Sequence, residues 1–222
     1  MPAFYQDQFP TEYALHQKYA QSPLLLDLVW MHGAIVADIC QQLVMAHTFD
    51  ASGINHKIMM QACLLHDVGV YLCEGFEWLQ QPMMSRFPYV QHSIVGAWIL
   101  YKEQYLPEIV QAAYTHKGAG ITTDDIAKLG LVLPLDNYLP ETLLTQLICY
   151  ASKYHSKAPK WRTAEEIVKS LEKYGSDKSQ IFAKWYEFFG PVDMEAIKKK
   201  YQPWHLAITS QIGQFQVEPL AI

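Results

Sequence analysis

The apolar residues of this chain recur at helical spacing over most of its length. From Leu25 to Leu43 they follow an i, i+3, i+4, i+7 order, which predicts a helix over about residues 23–47 with His32 on its buried face. The strict alternation of apolar and polar residues that is typical of half-buried strands is nearly absent. The spacing therefore predicts an all-α protein.

The same spacing predicts a second helix that begins near Ile58. This helix would carry His66 and Asp67 in its last turn, immediately before Gly69. A loop rich in aromatic residues and methionine follows, up to Pro88.

Prolines open the next three predicted helices, since their fixed φ suits a first helical turn. Pro88 places His92 near the start of the third helix, and Pro107 places His116 near the end of the fourth. Pro140 is expected to open a fifth helix. On this fifth helix one face is expected to carry four residues: Leu144, Ile148, Ser152 and His155.

Length and composition favour a single folded domain over residues 1–222, because 222 residues can bury one sizeable core. From about residue 160 the chain is expected to form additional C-terminal helices, the first capped by Thr163 with Glu166 reaching back. Four cysteines without a CxxC pair favour reduced thiols and argue against disulfides or a zinc knuckle.

The net charge and the lengths of the apolar runs indicate which kinds of partner to expect. Seventeen Lys and Arg against 22 Asp and Glu give a net charge of −5, which argues against duplex nucleic acid as a partner. No apolar run approaches the roughly 18 to 20 residues that span a bilayer, and the first ten residues lack a basic start. These features lead us to expect a cytoplasmic protein without a membrane partner, and they leave its oligomeric state open.

Several histidines and one aspartate fall on inward faces or buried ends of four consecutive predicted helices: His32, His66, Asp67, His92 and His116. A single histidine on an apolar face is more often a hydrogen-bonded core residue than a ligand. Burying all five polar side chains unpaired would cost about 1–3 kcal/mol for each group, and a shared cation would offset that cost for all of them. Imidazole and carboxylate ligands suit Zn, Mn, Fe, Co or Ni, and ligand type alone does not choose among these divalent metals.

At these residues the chain resembles the HD-domain superfamily of metal-dependent phosphohydrolases, whose pattern is an early His, a His-Asp doublet, two further His and a late Asp. The matching segments are WMHGAIV, CLLHDVGV, VQHSIVGAWIL and YTHKGAGIT, within about residues 25–157. The resemblance implies a helical bundle around residues 25–157 with a C-terminal extension over about 160–222. It also implies a centre of one or two metal ions that hydrolyses a small phosphoester, with nucleotides among the candidate substrates. Asp67 and His66 would then be the catalytic candidates.

The chain departs from the family pattern in two places. Ser152 stands where the late Asp is expected, and His155 is a second candidate to replace that ligand. The basic residue that often follows HDVG is here Val70, which leaves Arg86 and Lys117 as candidates to bind substrate phosphate. These departures keep two alternatives open: a catalytically weak nucleotide or metal sensor, and a di-iron oxygenase of the same superfamily.

Overall fold

The computed structural model describes residues 4–74, 87–157 and 160–212. Within these residues the chain forms ten α-helices, joined by short 3-10 turns and one two-stranded hairpin. The predicted all-α class is confirmed. The helices are α1 (Pro10–Tyr19), α2 (Pro23–Met45), α3 (His56–Leu65), α4 (His92–Lys102), α5 (Pro107–Thr115), α6 (Thr123–Leu129), α7 (Leu143–Ala151), α8 (Ala164–Leu171), α9 (Ser176–Phe189) and α10 (Met194–Ile212).

The long helix α2 forms the centre of the core. Its N-terminus is capped by Ser22, whose hydroxyl accepts a hydrogen bond from the Leu25 amide at 3.1 Å. Helices α3, α7 and α10 pack around it, so that most of its side chains are buried. By length and composition alone α2 could cross a membrane, contrary to the expectation from the sequence, but 78% of its most apolar window lies inside the protein, as in the core helix of a globular protein.

One helix begins later than predicted, because capping residues, and not the preceding proline, determine its first residue. The fifth predicted helix begins at Leu143 rather than Pro140, because Thr142 and Thr145 form a reciprocal capping box. Between α5 and α7 the chain also forms the short helix α6, for which the sequence analysis predicted no helix; Thr122 and Asp125 cap its start in the same way. The predicted cap by Thr163 and Glu166 is confirmed at α8.

The shared helix face predicted for Ser152 and His155 is wrong. Helix α7 ends at Ala151, a 3-10 turn covers Ser152–Tyr154, and His155 lies in strand β1 (His155–Ser156) with extended backbone. Strand β1 pairs antiparallel with β2 (Lys160–Trp161). This change of direction brings the segment after α7 back across the end of the bundle.

Gly69 is a packing residue rather than the helix-ending residue predicted. Its φ is not positive, and it lies in the 3-10 turn Val68–Leu72 that follows α3. A Cβ atom at this position would lie 2.1 Å from the backbone oxygen of His92 and 2.3 Å from the backbone nitrogen of Gly96. The missing side chain therefore lets the turn after Asp67 contact the backbone of α4 directly.

The four cysteines are free and buried, as the spacing predicts. They lie within the main hydrophobic core, which extends from α1 to α10.

Candidate metal centre

The five candidate side chains come from the ends and the middle of four helices. His32 lies in the middle of α2, whereas His66 and His116 directly follow α3 and α5 as C-caps. His92 is the first residue of α4, and Asp67 follows His66. All five side chains are at most 4% exposed. The tertiary structure thus brings together residues that are up to 84 positions apart in the sequence.

The carboxylate of Asp67 lies at the middle of this group. Its Oδ2 atom lies 3.1 Å from Nε2 of His32 and 3.2 Å from Nε2 of His66. Its Oδ1 atom lies 3.5 Å from Nε2 of His92 and 3.2 Å from Nε2 of His116. Each oxygen therefore belongs to a separate set of three ligand atoms, and the carboxylate joins the two sets.

The protonation of the imidazoles explains why these sets suit cations. His66, His92 and His116 each place Nδ1 2.7–2.8 Å from a backbone carbonyl oxygen three residues earlier, so Nδ1 carries the proton and donates. Their Nε2 atoms are then unprotonated. Nε2 of His92 and Nε2 of His116 lie 3.1 Å apart, within hydrogen-bond distance. Because neither nitrogen carries a proton, neither can donate a hydrogen bond to the other or to Asp67.

The spacing of the ligand atoms agrees with a shared ion. Adjacent ligands about 2.1 Å from one ion lie about 3.0 Å apart in octahedral and about 3.4 Å apart in tetrahedral coordination, and the contacts within each set are 3.1–3.5 Å. Oδ1 of Asp67 is buried and accepts no hydrogen bond from the described residues. A divalent transition metal fits both sets, whereas buried lone pairs without a cation would be left unsatisfied.

His16 shows how a core histidine differs from these residues. It is fully buried, but the Tyr71 hydroxyl donates to its Nδ1 at 2.7 Å, and its Nε2 donates to the Leu64 oxygen at 3.0 Å. Both ring nitrogens therefore have complementary partners. His16 needs no cation, which makes it a natural control for the histidines around Asp67.

Burial and local charges set the protonation states of the centre. Burial lowers the pKa of His32 to about 3 and that of His116 to about 4, and it also places the pKa of His92 well below its usual range. Burial alone would raise the pKa of Asp67, but the ammonium group of Lys157 beside it holds that pKa well below its usual range. At neutral pH these groups are neutral imidazoles around an ionised carboxylate.

Lys157 is a charged neighbour of the centre that the sequence analysis missed. Its Nζ atom lies 2.7 Å from Oδ2 of Asp67, and its side chain is 12% exposed. It also lies 5.8 Å from the centre of the Tyr89 ring. Helical periodicity could not reveal this contact, because the hairpin after α7 determines it. The only signal in the sequence is the basic segment 153–162, which has four Lys or Arg and no acidic residue.

The two candidates for the late ligand occupy different positions. Ser152 is 7% exposed and lines the same cavity as His32, but its hydroxyl donates to the Cys149 oxygen at 3.0 Å. Nδ1 of His155 lies 3.0 Å from Nδ1 of His32, so His155 contacts the side of the His32 ring that faces away from Asp67. Neither residue belongs to the two sets of three ligand atoms. His155 is placed to orient His32 instead.

The candidate phosphate-binding residues are only partly described. Arg86 lies outside the described residues. Lys117 is 4% exposed, lines the cavity, and donates to the Val90 oxygen at 2.8 Å. Burial, together with Lys157 and Lys153 nearby, lowers the pKa of Lys117 to about 7.

A cavity of about 470 Å³ opens onto the centre. Its wall includes side chains of the centre, the hairpin, and apolar residues near α6 such as Leu129 and Leu131. This volume lies within the range of small-molecule sites.

Comparison with known protein families shows to which family the chain belongs. The HD domain model matches residues 29–157, more than half of the chain. The chain belongs to the HD domain family. The expected family membership is thereby confirmed, and the match spans Asp67 and the four histidines around it as well as Ser152 and Lys157.

Other proteins share similarity with this HD domain chain. It is 29% identical over 182 residues to a tRNA (cytidine(56)-2'-O)-methyltransferase of Thermoplasma volcanium, covering 78% of this chain and 48% of the relative. A tRNA (cytidine(56)-2'-O)-methyltransferase of Picrophilus torridus is 28% identical over 56% of this chain and 30% of its own length. An uncharacterized protein of Methanocaldococcus jannaschii is 27% identical over 64% of this chain and 74% of its own length. The chain thus spans at most about half the length of the two methyltransferases.

Among solved structures, the chain is similar to the HD domain of the L. monocytogenes phosphodiesterase PgpH. The sequence identity is 15%, the TM-score is 0.45, and the match covers 86% of this chain and 99% of that domain. The structure of the same domain in complex with cyclic-di-AMP matches with a TM-score of 0.43 at 17% identity, covering 85% of this chain and 96% of that one.

Proposed function

We propose that this HD domain is a metal-dependent phosphohydrolase that acts on a small phosphoester at the Asp67 centre. The observation that carries the proposal is the pair of three-atom ligand sets that share one buried carboxylate. Membership of the HD domain family and the cavity beside the centre support the same reaction class.

Two sets of residues would hold the metal. His32, His66 and Oδ2 of Asp67 form one, and His92, His116 and Oδ1 of Asp67 form the other. A divalent ion held by these residues would supply Lewis-acid chemistry: it would lower the pKa of a bound water and polarise a phosphoryl oxygen.

The protein side chains supply position and charge. The ionised carboxylate of Asp67 can accept a hydrogen bond from an attacking water and orient it. Lys157 and Lys117 place ammonium groups on the wall of the same cavity, where they would stabilise negative charge that develops on phosphoryl oxygens. The burial of the ligand residues keeps bulk water away from these charges, which strengthens their interaction.

Metal content and hydrolysis together test the proposal. Protein purified without chelator should contain divalent transition metal and hydrolyse p-nitrophenyl phosphate or bis-p-nitrophenyl phosphate. Asp67→Asn should lose most of the metal, because it removes the anionic ligand common to both sets, and turnover should fall on the order of 100-fold or more. The measurements are elemental analysis and release of p-nitrophenol with Zn, Mn, Fe, Co and Ni supplied in turn.

His16→Gln serves as the control for this experiment. It changes a buried histidine outside the centre, so metal content and turnover should stay at the parent level. Full retention of metal by Asp67→Asn would contradict the assignment of the centre. An oxygen-sensitive iron pair without phosphatase turnover would instead support the oxygenase alternative.

A further inference from the structure

Basic residues converge on the cavity although the chain as a whole is acidic. Among the residues that the structure describes, seven Lys and Arg side chains line the cavity, against two carboxylates, Asp67 and Asp125. The seven are Lys117, Lys153, Lys157, Lys160, Arg162, Lys173 and Lys178. A chain with a net charge of −5 therefore directs a strongly positive surface toward one small volume.

Two of these cations are neutralised within the protein. Lys157 pairs with Asp67 at 2.7 Å, and Lys178 pairs with Asp125 at 2.6 Å. The amine groups of Lys117 and Lys153 donate to the backbone oxygens of Val90 and His116, which are neutral acceptors, so neither basic side chain is paired with a carboxylate.

The remaining three cations form the outer wall of the cavity. Lys160 lies in β2, Arg162 directly follows β2, and Lys173 lies in the 3-10 turn after α8. Among the described residues none of the three has a carboxylate within 4.0 Å. We call Lys160, Arg162 and Lys173 the outer basic wall.

This distribution of charge is informative about the ligand. Five basic side chains without a carboxylate partner line a cavity of about 470 Å³, and a bound anion would relieve the repulsion between their positive charges. A single phosphate group carries about −1.5 to −2 charges at neutral pH, which is less than these basic side chains can balance. The planar guanidinium of Arg162 suits a bidentate contact with phosphate.

We propose that the substrate is a small organic molecule with at least two separate phosphate groups. One phosphate binds at the Asp67 centre beside Lys117 and Lys153, and the second binds the outer basic wall. The apolar residues on another part of the cavity wall, such as Ile121 and Leu131, contact the organic part that joins them. This inference rests on the proposed function, since it assigns the reacting phosphate to the metal centre.

A matched pair of probes tests the second phosphate site directly. Fructose 1,6-bisphosphate and fructose 6-phosphate differ by one phosphate group, and their binding to the full chain can be measured by isothermal titration calorimetry in the presence of chelator, so that no metal-dependent turnover accompanies binding. The bisphosphate should bind at least about tenfold more tightly. Arg162→Gln and Lys173→Gln should each remove most of that difference while leaving the affinity for the monophosphate unchanged.

Lys184→Gln provides the matched control, because Lys184 is exposed on α9 and does not line the cavity. Equal affinity for the two probes, or a preference that survives both wall variants, would overturn the proposal. Tighter binding of a single-stranded RNA hexamer than of the bisphosphate would overturn the commitment to a small molecule. Since binding is measured without turnover, an inactive or metal-free protein would count against the proposed function and not against the second phosphate site.

Discussion

Asp67 carries a carboxylate whose two oxygens face different partners. Among the described residues, Oδ1 faces His92 and His116, whereas Oδ2 faces His32, His66 and the ammonium of Lys157. The two ligand sets are therefore electrostatically unequal. A metal ion bound by His32, His66 and Oδ2 of Asp67 would share that oxygen with the ammonium group of Lys157.

Removing the charge of Lys157 should strengthen metal binding. In Lys157→Met the repulsion between the ammonium and the ion disappears, and we expect metal affinity to rise by about tenfold, which corresponds to about 1.4 kcal/mol. Calorimetric titration of the metal-free protein with each divalent metal measures the change. Lys184→Met, which removes an exposed charge on α9, should leave the affinity unchanged. Weaker binding in Lys157→Met would mean that Lys157 supports the ligand geometry instead of opposing the ion.

At the scale of the elements, the approach of the turn Val68–Leu72 to α4 places Asp67 beside His92. Gly69 makes this approach feasible, because any side chain there would collide with the backbone of His92 and Gly96. The ends of α3 and α4 are thereby held at the spacing that the shared carboxylate requires.

Gly69→Ala should damage both the fold and the centre. Backbone atoms cannot move aside as a flexible side chain can, so we expect a loss of about 3 kcal/mol or more in the free energy of unfolding. Chemical denaturation and metal content measure the two effects. Gly53→Ala is the control, since a Cβ there meets nothing within 4 Å, and its effect should stay within about 0.5 kcal/mol. Parent-like stability and metal content in Gly69→Ala would show that the turn and α4 can separate without cost.

At the scale of the whole molecule, buried neutral histidines make stability depend on pH. Burial lowers the pKa of His16 from 6.5 to about 4 in the folded protein. Between these values the unfolded chain binds more protons than the folded one, so the free energy of unfolding falls as the pH drops below 6.5. Above pH 6.5 His16 is neutral in both the folded and the unfolded chain, so protonation of His16 no longer lowers the free energy of unfolding.

We expect His16 to account for a loss of about 2 kcal/mol between pH 7 and pH 5. His16→Gln removes this titration, so its unfolding free energy should depend less steeply on pH than that of the parent. Urea denaturation of both metal-free proteins at the two pH values measures the difference, and the other buried histidines cancel in the comparison. Identical pH dependence in the two proteins would show that His16 is already neutral in the unfolded chain or accepts a proton in the folded one.

The local pattern of the sequence predicted the helical class and a long helix over about residues 23–47, which the structure shows as Pro23–Met45, because both depend on residues close together in the chain. The family was recognised from the order of four short motifs, each of which consists of neighbouring residues. Helix periodicity depends on neighbours three and four residues apart, and the capping box at Thr163 needs only four consecutive residues. The candidates around Asp67 could be named for the same reason: each is a polar residue on a locally apolar face. The structure brings these five side chains together, and their role as metal ligands remains a prediction.

The features that were wrong or missed depend on contacts between distant segments. His155 left the predicted helix face because the chain turns into a hairpin after α7, and that turn also brings Lys157 to Asp67 across 90 residues. The net charge could not reveal a basic cavity, since a sum over the chain carries no information about where charges converge. The sequence by itself determined the helices and the residue types available to the centre. Only the tertiary structure decided which side chains share the Asp67 carboxylate and which cations face the cavity, because packing between helices sets distances that local periodicity does not contain.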